Sequence, residues 1–252
     1  MTNGNHHQGE MTMNQHSPLN GLRVAVTGGT SGLGLALVRQ LSQAGARVAF
    51  VARSKTDVER VATETSAVGI VGDVGRKDDI YPMALQITGN LGGLDVLINN
   101  ASSLGPIPLV RLADTDCEDL ENALSVNLIG PFRLTKALFG ALAASAREGR
   151  GATVVNISSD AAVNAYPGWG AYGASKAALR HLTAIWDVEA RDERIRFLAV
   201  DPGDMDTPLH ALADPDADPS TLKRPADSAA EVIAAFSVTL PIINAAEDAV
   251  PA

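Results

Sequence analysis

The 252-residue chain has a single cysteine, Cys117, so no internal disulfide framework can form. That scarcity fits a reducing compartment, and we expect a cytoplasmic protein. Asp114, Asp116, Glu118 and Asp119 crowd Cys117 and disfavour a thiolate. An inert, partly buried side chain is expected there. Positive charge is also short. Lys and Arg number 20 against 29 Asp and Glu, a formal net charge of −9, which argues against a broad nucleic-acid surface. No apolar run reaches the length of a membrane span, so no membrane partner is expected. The N-terminal stretch lacks a long apolar core and is poor in arginine, unlike a targeting peptide. There is no internal repeat and no linker that would split the chain.

Hydrophobic residues make up 46% of the chain, enough for one sizeable core and a single domain over 19–252. Residues 1–18 are polar and without apolar periodicity, the pattern of a mobile tail. His6, His7 and His16 fall in that tail and are read as solvated side chains, so no metal site is expected.

From Leu22 onward, short apolar runs alternate with helical patterns. Strands are expected at Arg23–Thr27, Arg47–Ala52, Ala67–Gly72, Val96–Asn99, Thr153–Ser158 and Arg196–Val200. They are apolar almost throughout, as in parallel strands covered on both faces. Helices are expected at Ser31–Gly45, Thr56–Thr65, Asp78–Leu91, Cys117–Arg147 and Gly170–Arg191. Pro82 suits only a first turn, and the fourth helix should be interrupted near Gly130-Pro131. The alternation predicts an α/β fold: a Rossmann-type, doubly wound parallel sheet with helices on both faces. Residues 207–224 read as a substrate loop with a short helix at Leu209–Ala213. Ser228-Ala229-Ala230-Glu231 matches a capping box. The tail 237–252 is atypical: Val238–Ile243 could form a strand, but Pro241 opposes a central one.

Two stretches carry chemistry. Thr27-Gly28-Gly29-Thr30-Ser31-Gly32-Leu33-Gly34 turns a strand into a helix on glycines. Free N–H groups at that helix start, with the positive end of its dipole, suit a diphosphate. Alone it could be an ordinary tight turn. Tyr172-Gly173-Ala174-Ser175-Lys176 sets a phenol and an ammonium at i and i+4, on one helix face. The bland alternative is a core tyrosine and a solvated lysine.

With these two stretches, Asp73, Asn99-Asn100-Ala101, Asn127, Ser159 and Pro202-Gly203, the chain resembles the short-chain dehydrogenase/reductase family over about Gly21 to Thr207. Ser102 stands where the family usually has glycine, and the usual closing strand with its Asp-Gly-Gly ending is missing. The resemblance implies NAD or NADP binding and hydride transfer to or from a carbonyl or alcohol. It implies a proton donor in Tyr172 and a partner in Lys176, which also binds the nicotinamide ribose. We expect Lys176 and the oxidised nicotinamide to lower the phenol's pKa. Ser159 would hold the substrate oxygen, with Ser158 as competitor. Asn127 would hold a relaying water, or its amide would stabilise a helix kink. The cofactor would lie on Gly28, Thr30, Ser31, Gly32, Leu33 and Gly34, and on Asn100, Ala101 and Ser102. Asp73 would accept from the adenine amino group beside Val74, or only stabilise a turn. Pro202, Gly203, Met205 and Thr207 would meet the nicotinamide.

The second strand ends at Ala52 with no carboxylate to accept from a ribose 2′-OH, and Arg53 follows with Ser54. NADP(H) is therefore preferred, with NAD(H) as the alternative. A substrate wall is expected from Leu104, Pro106, Ala161, Val163, Tyr166, Trp169, Leu209 and His210. It suits a small, largely apolar carbonyl or alcohol. The two long helices resemble the family's dimer helices, so a homodimer or homotetramer is expected. A second class of function, an NADP(H)-binding sensor or scaffold without turnover, has only the missing strand and the acidic loop in its favour.

Overall fold

The computed structural model describes residues 19–240. The expectations for residues 1–18 and 241–252 lie outside the described residues. Six parallel strands form one sheet in the order β3-β2-β1-β4-β5-β6. They are β1 Arg23–Thr27, β2 Arg47–Ala52, β3 Val68–Val71, β4 Val96–Asn99, β5 Thr153–Ile157 and β6 Arg196–Val200. The helices are α1 Gly32–Gln43, α2 Lys55–Thr65, α3 Lys77–Leu91, α4 Cys117–Leu124, α5 Gly130–Arg147, α6 Gly170–Glu189, α7 Pro208–Ala213 and α8 Pro225–Ser237.

The alternation of side chains along each strand feeds two cores. On β1, Val24 and Val26 face one layer and Ala25 the other; Val96 and Ile98 against Leu97 repeat this on β4. The first layer packs under α1, α2 and α8, the second under α3 and α5. The strand order reverses between β1 and β4, where the first two crossovers run one way and the rest the other. That switch point opens a crevice at the C-terminal strand ends.

The opposite edge is closed by a compensated charge cluster. Asp95, fully buried just before β4, accepts from Arg23 Nε at 3.0 Å and Nη2 at 2.6 Å. The Arg23 backbone amide (2.8 Å), Arg150 Nη2 (3.2 Å) and Ser145 Oγ donate as well. Burial alone would push this carboxyl up. The bonds from Arg23, Arg150 and Ser145 outweigh it and hold the group below the usual carboxylate range.

Several expectations are corrected. Cys117 is exposed, not partly buried, because it opens α4 on the solvent side. Pro82 lies inside α3, beyond the first turn; its ring has room because it is on an exposed face. The interruption before α5 is a π-helical stretch, Ser125–Ile129, ending at Gly130, where an added Cβ would lie 2.6 Å from the Val74 carbonyl. Ser228 does not cap α8. Pro225 starts that helix three residues earlier, and Ser228 Oγ instead donates to the Pro202 carbonyl at 2.9 Å. Val238–Leu240 is not a strand: Val238 is the C-cap of α8, and Thr239 N bonds back to Phe236 O.

Replacing Asp95 by alanine strands two arginines in a buried site, and we expect a loss of about 3 kcal/mol or more. Because its folded pKa is depressed, the stability Asp95 contributes is present above the ordinary carboxylate range. It is lost as pH falls through the folded value. Urea titrations of wild type and Asp95→Ala at neutral and acidic pH check this: the gap should narrow in acid.

Candidate active site

The first end of the crevice is built by backbone approach. Gly28 has φ +70°, and a Cβ there would sit 3.0 Å from Ala101 Cα and Asn100 Nδ2. A Cβ on Gly34 would collide with the Gly28 carbonyl. Thr27 Oγ1 accepts from the amides of Asn100 and Ala101, both at 3.0 Å. Asn100 Nδ2 returns a bond to Thr27 O at 2.9 Å. Gly28 N and Gly29 N are taken by Val51 O, and Ser31 caps α1 without a side-chain bond. The start of α1 therefore opens on the cavity unplugged by a cap, the geometry that suits an anion.

At the tip of β2, Arg53 is exposed and lines the cavity. Ser54 caps α2, accepting from Asp57 N at 3.3 Å. The carboxylate of Asp57 lines this end too, contrary to the expectation that none is present. Arg60 Nη2 pairs with it at 3.2 Å. Bonds from Ser54 and Arg60 hold Asp57 below its ordinary range. Asp73 lines the cavity but turns Oδ1 to Gly75 N at 2.9 Å, the turn-stabilising role.

The other end lies between α6 and the tip of β5. Tyr172 and Lys176 are both buried there. Lys176 Nζ donates to Ile157 O at 2.7 Å and lies 5.6 Å from the centre of the Tyr172 ring. Desolvation, with no carboxylate partner among the described residues, lowers the ammonium from 10.5 to about 8. Burial pushes the Tyr172 phenol up, against opposing contacts from Ser159 and Ser102. The expected lowering is not met: desolvation is the largest cause, and the carboxylates of Asp201 and Asp160 add to it.

Ser159 Oγ accepts from Ala161 N at 3.2 Å and donates to Asp160 Oδ1 at 3.1 Å. Ser158 Oγ is buried and has no partner among the described residues. Asn127, fully buried on the π-helical stretch, spends its whole amide on protein. Nδ2 donates to Ser103 O (2.7 Å) and Ser175 Oγ (2.8 Å). Oδ1 accepts from Ser103 N (2.8 Å) and Ser102 Oγ (3.2 Å).

One cavity of about 910 Å³ joins both ends. Its walls include Gly28, Thr30, Ser31, Gly32, Leu33, Gly34, Arg53, Ser54, Asp73, Val74, Asn100, Ala101 and Ser102. Ser159, Tyr172, Lys176, Pro202, Gly203, Met205 and Thr207 complete the expected set. Asn127 stands behind the wall. Leu104, Ala161, Tyr166, Trp169, Leu209 and His210 also line it; Pro106 and Val163 do not, Pro106 being buried and Val163 turned to solvent. The loop after β6 is pinned at its base by Lys223 N to Asp204 O (2.9 Å) and Asp206 N to Lys223 O (3.0 Å). Thr207 caps α7, accepting from His210 N at 3.1 Å.

From the sequence alone, Thr27 and Ser175 have no assigned role of their own and Asp160 is passed over. Ser175 Oγ donates to Tyr172 O at 2.6 Å and receives Asn127, so it ties α6 to the π-helical stretch. Its place inside the Tyr-xxx-Lys spacing was the available signal.

A profile described as short chain dehydrogenase matches residues 23–218. An uncharacterized oxidoreductase of Mycobacterium tuberculosis (strain H37Rv) is 32% identical over 204 residues, 78% of this chain and 58% of that protein. The chain thus spans little more than half the length of that relative. Benzil reductase ((S)-benzoin forming) of Bacillus subtilis (strain 168) is 30% identical over 189 residues, 74% of this chain and 76% of that one. Among solved structures, a 3-ketoacyl-(acyl-carrier-protein) reductase of Brucella melitensis complexed with NADH superposes with TM-score 0.79 at 27% identity. That match covers 86% of this chain and 90% of the other. The chain belongs to the short-chain dehydrogenase family.

Lys176 sets a test in stability. Below pH about 8 the folded protein bears the cost of a buried ammonium. Between there and its ordinary 10.5, the unfolded chain binds the extra proton, so raising pH favours the fold. We expect Lys176→Met to be more stable than wild type at pH 7, with the difference shrinking by pH 10. Denaturant midpoints at both pH values measure this.

Proposed function

We propose that the chain is an NADP(H)-dependent oxidoreductase. It transfers a hydride between the nicotinamide and a carbonyl or secondary alcohol of a small, largely apolar substrate. The observation that carries the reading is that one cavity holds the glycine turn at one end and Tyr172, Lys176 and Ser159 at the other. The residues fit a dinucleotide. Close backbone contact at Gly28 and Gly34 holds the turn tight, and the start of α1 is left for an anion. The NADH complex of the Brucella relative supports a nicotinamide cofactor. Arg53 has no partner among the described residues and can take a 2′-phosphate; Asp57 beside it is neutralised by Arg60, which favours NADP(H) over NAD(H).

The bound cofactor supplies or receives the hydride. Tyr172 gives the carbonyl oxygen its proton, and its raised pKa keeps the phenol protonated at neutral pH. Ser159 fixes that oxygen. Lys176, held by Ile157 O, has two further N–H donors for ribose hydroxyls. Asn127 spends its amide on Ser102, Ser103 and Ser175 and holds the π-helical stretch against α6. The substrate wall is mostly apolar, with Leu104, Ala161, Trp169 and Leu209. The exposed apolar side chains Phe132 on α5, with Ile185 and Val188 on α6, favour a homodimer or homotetramer.

Tyr172→Phe removes the proton and little volume. Turnover with NADPH and a ketone should fall by roughly 100-fold or more, while NADPH fluorescence enhancement on binding persists. Near-full turnover would remove Tyr172 from the role of acid.

A further inference from the structure

The Ser159 hydroxyl has one proton, with Asp160 Oδ1 and the Tyr172 phenol both within its reach. Ser159 Oγ lies 3.1 Å from Asp160 Oδ1, while its lone pair already accepts from Ala161 N. Asp160 Oδ2 accepts from the Tyr166 hydroxyl at 2.7 Å. Both donors to this carboxylate are neutral. Asp160 is partly exposed, lines the cavity, and forms no ion pair among the described residues. An uncompensated carboxylate therefore stands one hydrogen bond from the group that holds the substrate oxygen.

This arrangement sets a condition on the substrate. A hydroxyl that donates to Asp160 cannot also donate to a carbonyl. A plain ketone must strip Asp160 of that donor to gain it. An anionic group beside the carbonyl would meet Asp160, with Asp201 and Asp204 in the same walls. A hydroxyl on the carbon next to the carbonyl resolves the conflict. It donates to Asp160, and the Ser159 proton turns to the carbonyl oxygen, so every donor keeps an acceptor.

We propose that Asp160, steadied by Tyr166, anchors the substrate and selects carbonyls that carry a hydroxyl on the neighbouring carbon, with 1,2-diols as the reverse substrates. The proposal rests on the hydride-transfer reading above. In reduction the carbonyl carbon gains the hydride and its oxygen gains the Tyr172 proton, giving a 1,2-diol as NADPH is oxidised to NADP⁺. The titratable groups facing this corner are Tyr172, Tyr166, Asp201 and Asp204, with Lys176 against the phenol and His210 on α7 in the same lining.

The test compares hydroxyacetone with acetone as substrates of the full chain with NADPH. Wild type should favour hydroxyacetone roughly tenfold or more in kcat/KM. Asp160→Ala should bring the two within about twofold of each other, chiefly through KM. Asp160→Asn, which keeps the shape without the charge, should lose most of the preference and serves if the alanine protein does not fold. Equal use of the two ketones by wild type, or a preference that survives both substitutions, overturns the proposal.

A second readout needs no turnover. In a Tyr166→Phe background, the phenolate absorbance of Tyr172 is titrated with and without Asp160→Ala, using Tyr172→Phe as the blank. Removing Asp160 frees the Ser159 proton for the phenolate and removes a nearby negative charge, so the midpoint should fall. The fall should shrink when Ser159→Ala is added to the background; an unchanged midpoint, or a fall of the same size without Ser159, overturns the hold of Asp160 on Ser159. If neither ketone is reduced although NADPH binds, the hydride-transfer reading fails separately and the titration still decides the role of Asp160.

Discussion

The constraint on which the site depends is steric: the backbone at Gly34 closes against the Gly28 carbonyl, where no side chain could stand. That contact folds the end of β1 directly into α1 and leaves the helix start open toward the crevice. Thr27 and Asn100 then lock the turn to the tip of β4, so the two strands flanking the switch point share one rigid corner. Everything that follows is measured from that corner. The β5 tip carries Ser159, and α6 crosses behind it to deliver Tyr172 and Lys176. One cavity spans the distance.

The two edges of the sheet treat charge in opposite ways. At the N-terminal edge, Asp95 is buried and surrounded by arginines and a serine, a site built for stability. At the C-terminal edge, among the described residues, buried Lys176 has the Ile157 carbonyl and the Tyr172 ring beside it, and the Asp160 carboxylate accepts from two neutral hydroxyls. Groups held short of their best partners are ready to accept others. The fold's stability resides in the first edge and in two apolar layers, which leaves the second edge free to carry cost.

The sheet was legible because its strands are uniformly apolar and bounded by turns; five of the six starts match, and β3 is shorter by a residue at each end. Helix ends were less so. The Ser228 motif has the right letters for a cap, but Pro225 fixes an earlier start and the hydroxyl finds Pro202 instead. The π-helical stretch was half visible, since Gly130-Pro131 signals a break but not its kind. The cleft residues were legible where glycines, or the tyrosine–lysine spacing, demand a particular backbone. Asp57 and Asp160 were not, because their importance arises from what the fold sets beside them: Arg60 and the Arg53 end in one case, Ser159 and Tyr166 in the other. Proximity across elements leaves no local pattern to read. The sign of the Tyr172 shift also escaped, because spacing predicts the neighbouring ammonium but not the depth of burial.

The central claim is that a single dinucleotide spans the cavity from the glycine turn to the tyrosine–lysine pair. A structure of the chain with NADP⁺ bound tests it most directly. The account predicts the diphosphate at the start of α1, the 2′-phosphate against Arg53 and the nicotinamide ribose on Lys176 Nζ. A dinucleotide lying elsewhere, or one whose nicotinamide points away from Tyr172, would contradict it.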